Sequence, residues 1–92
     1  MVPVHPGKLL ARELATRGLS ANRFALALGV PSGRITAILH GTRAITPESA
    51  LRLSRFFGNS PHFWMNLQMR YDLALAEKKM GKRIASEVRR VA

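Results

Sequence analysis

The chain has 92 residues, 47% of them apolar, and its 15 lysines and arginines against five acids give a formal net charge of +10. That length forms one domain with a modest core, and that charge favours a polyanionic partner: a nucleic acid, or an acidic protein or membrane surface. The lack of cysteine excludes disulfides and thiolate metal sites, no apolar run reaches the ~20 residues of a membrane span, and MVPVHPGK has no signal-peptide pattern, so an intracellular, cytoplasmic chain is expected.

Residues 1–5 read as an extended arm. His5-Pro6-Gly7 makes a turn and helix entry. A first helix is predicted over Lys8–Arg17, with Leu9, Leu10 and Leu14 on its apolar side and Gly18 closing it. Leu19 is placed to pack beneath the next helix as a hydrophobic staple. Ser20 caps the second helix, where Phe24, Ala25 and Leu28 share one face. Gly29 ends that helix, because glycine takes the left-handed conformation without a Cβ clash. Val30 and Pro31 carry the turn. Ser32 opens a third helix with Ile35, Ile38 and Leu39 inward. Ala25, Gly29 and Ile35 together have the spacing of a helix-turn-helix: a small residue for a close crossing, a glycine for the turn, a branched residue to fill the crossing.

A glycine-led loop, His40–Ile45, follows. Thr46-Pro47-Glu48 then combines a capping residue, an N1 proline and a first-turn acid to open the fourth helix. Ala50, Leu51, Leu53, Ser54, Phe56 and Phe57 are its predicted core face, and Gly58 ends it. Ser60-Pro61 opens a fifth helix, predicted over 61–79. From Glu77 onward the composition changes. Lys78, Lys79, Lys82, Arg83, Arg89 and Arg90 stand against two acids, Gly81 is expected to break the helix, and a partly disordered basic tail over 80–92 is predicted beyond a domain spanning 1–79. No strand-like alternation occurs. The expected fold is all-α, with five helices.

Catalysis finds no support. His5, His40 and His62 fit no HExxH spacing, no phosphate-cradling GxxxxGK[ST] loop is present, and five acids leave little for paired-carboxylate chemistry. No catalytic residue, metal or cofactor is expected. RNA binding lacks a visible aromatic stacking platform.

Taken together, HPGKLLARELATRGLSANRFALALGVPSGRITAILHGTRAIT and LRLSRFFGNSPHFWMNLQMRYDLALAE resemble the HigA-type antitoxins, the virulence-associated I-type proteins of the wider Xre/Cro/phage-repressor group. The resemblance covers residues 5–77. It rests on the opening HPG, the GVPxxRI turn, the LRLxRFFGxSPxFWxNLQ run and the YDL after it. It implies a lambda-repressor-like fold and a dimeric repressor that binds its own operator and neutralises a small, basic, RNA-cleaving toxin. The first helix departs from the pattern, with Lys8, Arg12 and Arg17 outweighing Glu13, which leaves the toxin-binding residues unplaced. A stand-alone Xre-type regulator, or a protein-binding module without DNA binding, remains the alternative.

On the DNA-binding reading, Ser32–Leu39 is the recognition helix. Ser32, Gly33, Arg34 and Ala37 are its base-facing candidates. Arg34 leads because its fork matches guanine O6 and N7, although a phosphate contact also suits it. Phosphate contacts are assigned to Ser20, Asn22, Arg23, Thr36, His40 and Arg43; Ser20 has an equally sufficient role as a helix cap. One short helix reads few base pairs, so a homodimer on a palindromic double-stranded operator is expected, with half-sites about 10 bp apart. The dimer contact is placed at Phe63, Trp64, Leu67 and Tyr71, of which Phe63, Leu67 and Trp64 equally suit a monomer core.

Overall fold

The computed structural model describes residues 3–91; Met1 and Val2 of the predicted arm and Ala92 of the predicted tail lie outside them. Five helices follow in order: α1 (Pro6–Thr16), α2 (Ala21–Leu28), α3 (Ser32–Leu39), α4 (Pro47–Phe57) and α5 (Pro61–Glu87). No strand occurs among the described residues.

Each start has a local cause. His5 Nδ1 accepts the Gly7 amide at 2.9 Å, which lets α1 begin at Pro6, two residues before the predicted start. The Ser20 hydroxyl accepts the Arg23 amide at 3.1 Å and caps α2. Thr46 does the same for α4 through the Ser49 amide at 3.3 Å. Such a cap is worth about 1 kcal/mol, because it pairs an amide that the helix leaves without a partner. Gly29, at φ 73°, turns the chain out of α2.

The core gathers Leu10, Leu14, Phe24, Ala25, Leu28, Ile35, Ile38, Ile45, Ala50, Leu53 and Trp64 from all five helices and the α3–α4 loop. Helix α3 packs on α2 and α1, while α4 packs on α2 and α5. At the start of α1, Gly7 lies against the Ile38 carbonyl so closely that a Cβ would overlap it. The first turn of α1 and the last turn of α3 therefore meet backbone to backbone, which fixes α3 against the domain. Leu51, expected inside, is 60% exposed. Helix α4 buries only the side that carries Ala50, Leu53 and Ser54.

Helix α5 does not stop at Lys79, and Gly81 does not break it. A mid-helix glycine costs about 1 kcal/mol relative to alanine. The flanking run LALAEKKM consists of strong helix formers, and Arg83 pairs with Glu87 at 3.4 Å one turn later. The helix consequently carries most of the basic segment outward and gives the molecule a long axis of 52 Å.

His5 is buried where α1, the α3–α4 loop and α5 meet, edge-on to the Tyr71 ring at 4.9 Å. Burial pushes its imidazole below the ordinary 6.5, with the Arg43 carbonyl and Asp72 carboxylate acting the other way. The folded state therefore binds the proton less readily than the unfolded chain. The stability contributed by neutral His5 is complete above about pH 6.5 and is lost as the pH falls through the lowered folded value. A melting series from pH 7.5 to 5.5 should show a declining midpoint. His5→Asn keeps an acceptor for the Gly7 amide and should flatten the decline; equal slopes would remove His5 as its source.

Candidate nucleic-acid interface

The surface around α3 is defined first by charge. No acid occurs between Glu13 and Glu48, an interval that contains Arg17, Arg23, Arg34 and Arg43. This gap was readable in the sequence, and it falls on the helix-turn-helix. Ser32, Gly33, Thr36 and His40 lie exposed along α3 and just past its end, and Ala37 is half-buried. Ser20, Asn22 and Arg23 are exposed at the start of α2, and Arg43 is exposed in the α3–α4 loop. The free amides of a helix start favour an anion there.

The hydrogen bonds sort these residues further. The Ser20 oxygen already serves as the α2 cap. The Thr36 hydroxyl donates back to the Ser32 and Gly33 carbonyls at 3.3 and 3.1 Å, so its one proton is used inside α3 and is not free for a phosphate. A Cβ at Gly33 would meet nothing within 4 Å. The domain itself does not require a glycine at that point, and its bare backbone leaves room for a close neighbour.

Arg34 is not the free outward fork that its position in the sequence implies. Its side chain is 21% exposed, and its Nη1 lies 3.3 Å from Glu48 Oε1. The other Glu48 oxygen, Oε2, takes Arg52 through Nε and Nη2, each at 3.1 Å. Arg52 in turn donates from Nη1 to the Leu28 carbonyl at 2.8 Å, at the last turn of α2. One carboxylate thus ties α3 to α4, and through Arg52 to the end of α2. The Arg52 hydrogen bond, then the nearby Arg34 charge, hold the Glu48 carboxyl below its ordinary range. Sequence reasoning treated Glu48 only as a first-turn acid. The i,i+4 spacing of Glu48 and Arg52 was a visible signal for half of this network; the reach to Arg34 depends on the fold.

The α3–α4 loop is held from the opposite side. Gln68 is buried; its Oε1 accepts the Ile45 amide at 2.8 Å and its Nε2 donates to Asp72 Oδ1 at 3.0 Å. Thr42 donates to the Ala37 carbonyl at 3.1 Å, closing the end of α3. Arg43 therefore stands on a loop anchored at both ends.

The proposed dimer residues divide. Trp64 is 1% exposed, its ring lies 5.5 Å from that of Phe57, and its Nε1–H donates to Asn59 Oδ1 at 3.1 Å. It belongs to the core of one domain and offers no surface to a second copy, because its α5 face points at α4. Leu67 packs against the same core, and half-buried Tyr71 meets the His5 ring edge-on. Phe63 is 43% exposed. Met69, Leu73, Met80 and Ile84, which the predicted dimer contact does not include, are exposed on α5. Their spacings of four, seven and four residues put them on one stripe of a helix with 3.6 residues per turn.

Residues 10–64 match the sequence profile of the helix-turn-helix family. Over 79 residues the chain is 46% identical to virulence-associated protein I of Dichelobacter nodosus, covering 85% of this chain and 73% of that one. Over 72 residues it is 33% identical to antitoxin HigA-1 of Vibrio cholerae, covering 77% of this chain and 68% of that one. The chain belongs to the HigA-type helix-turn-helix family. The family likeness extends to the whole described fold. The structure of a HigA-family addiction module antidote protein from Coxiella burnetii superposes with a TM-score of 0.96 at 51% identity, covering 99% of this chain and all of that one. Among these HigA-type folds, Pseudomonas aeruginosa antitoxin HigA, solved with the higBA promoter, matches at 38% identity and a TM-score of 0.94, over 98% of this chain and 99% of that one. The five-helix, all-α expectation agrees with these structures.

Proposed function

We propose that this chain is an operator-binding transcriptional repressor and the antitoxin of a HigBA-type toxin–antitoxin module, acting in the cytoplasm as a homodimer. The observation that carries the reading is the promoter-bound relative: a protein 38% identical, with a TM-score of 0.94, was solved with its promoter. The acid-free interval on the corresponding helices of this chain gives that likeness a physical basis. It binds DNA and does no chemistry on it. The start of α3 enters the major groove, with Ser32, Gly33 and Ala37 close to base edges and Arg34 supplying a fork for guanine. Asn22, Arg23, His40, Arg43 and the cap of α2 at Ser20 meet phosphates on either side. Two copies pair along α5, through Phe63 and the stripe of Met69, Leu73, Met80 and Ile84, which points away from the domain's own core. The operator is then palindromic, with half-sites about one helical turn apart. The repressor role leaves the antitoxin role to the same chain, and a small basic RNA-cleaving toxin is its protein partner.

The test is an anisotropy titration of the duplex upstream of the chain's own coding region against a scrambled duplex, repeated across salt. With about four phosphates neutralised per protomer, the logarithm of affinity should fall against that of salt with a slope of about −7. A slope near zero, or equal affinity for both duplexes, overturns the reading. Co-purification with the product of an adjacent small basic reading frame tests the antitoxin half separately.

A further inference from the structure

We propose that Glu48 is a positioning residue for Arg34: it anchors one end of the guanidinium so that the other end faces the base edges, and it thereby sets operator specificity more than affinity. The inference rests on the operator-binding reading above and deepens it.

Glu48 holds Arg34 through Nη1 alone, at 3.3 Å. Among the described residues no other acceptor takes that guanidinium, so its Nε and Nη2 edge keeps the paired donors that match guanine O6 and N7. The carboxylate itself is aimed by Arg52, which is fixed to the Leu28 carbonyl at 2.8 Å. That carbonyl belongs to the final turn of α2, next to Gly29, where a Cβ would come within 3.3 Å of Arg52 Nη1. The chain of contacts therefore refers Arg34 to the helix-turn-helix turn itself. The cap of α4 is completed by Thr46 and Ser49, so Glu48 is not needed there. Its side chain is 56% exposed, and ion pairs exposed to that degree add little to stability. What the pair changes is where the guanidinium stands. Glu48 also breaks the acid-free interval at its edge, where an anion opposes phosphates and weakens binding to DNA of any sequence.

The experiment is the same titration on operator and scrambled duplexes, with wild type, Glu48→Gln, Arg34→Ala and the double variant, each checked for its melting midpoint. Glu48→Gln should lower the ratio of operator to scrambled affinity about tenfold, within the range of one bidentate base contact. Its affinity for the scrambled duplex should hold or rise, because a negative charge has gone. In the Arg34→Ala background the same substitution should leave the ratio unchanged, since Glu48 acts through Arg34. A wild-type ratio in Glu48→Gln, or an equal fall in both backgrounds, overturns the positioning role while leaving operator binding intact. Wild type without any preference for the operator overturns the operator reading itself.

Discussion

Trp64→Ala should cost the fold about 3–5 kcal/mol, the range for emptying a buried aromatic site. The indole is 1% exposed and packs on Phe57 beside Phe63. Phe57 continues the cluster to Phe24 and Phe56, with ring centroids 5.8 and 5.0 Å away. The variant also removes the indole N–H that Asn59 Oδ1 accepts at 3.1 Å. Single domains carry only about 5–15 kcal/mol in total, so the melting midpoint should fall by about 12 °C or more for a chain of this size. The measurement separates two roles that the sequence left open. A dimer-interface tryptophan would shift the dissociation of the dimer and leave unfolding of the protomer nearly unchanged. Phe63→Ala, at the exposed neighbour, should show that second pattern.

Arg34→Ala should lower operator affinity by about 1–3 kcal/mol per half-site, which is about five- to 150-fold, and relax the preference at one base pair. Little of this should come from unfolding, because Glu48 keeps Arg52 at 3.1 Å when Arg34 is gone. A competition series with operators altered one base pair at a time checks it. If Arg34 contacts phosphate instead, affinity falls uniformly on every sequence and the salt slope becomes shallower by about one per contact. Those two patterns do not overlap.

The fold was legible wherever the local chemistry was strong. Ser20, Thr46 and Ser60 each announce a helix start, Gly29 and Gly58 each announce an end, and α3 occupies the residues predicted for it, Ser32–Leu39. The errors came where a local signal met a longer-range one. Gly81 is a helix breaker by propensity, but its neighbours outweigh it and α5 runs on to Glu87. Trp64 suited a dimer contact and a monomer core equally, because apolar bulk in a sequence does not say which side of a helix is covered. Helix α4 covers that side. Leu51 differed in the opposite direction: it is expected in the core and stands 60% exposed on α4. Arg34 was recognisable as a candidate by its place in the helix-turn-helix. Its attachment to Glu48, 14 positions later, exists only once α4 has folded back beside α3, and no spacing rule reaches that far.

On the proposed reading α3 and its flanks, and not the basic far end of α5, meet the DNA. An amide chemical-shift titration of the protein with its upstream duplex distinguishes the two surfaces residue by residue. The largest changes should gather at residues 20–23, 32–37 and 40–43, with a smaller response along 78–90. Changes confined to 78–90, with the amides of α3 unmoved by saturating operator, would contradict that reading.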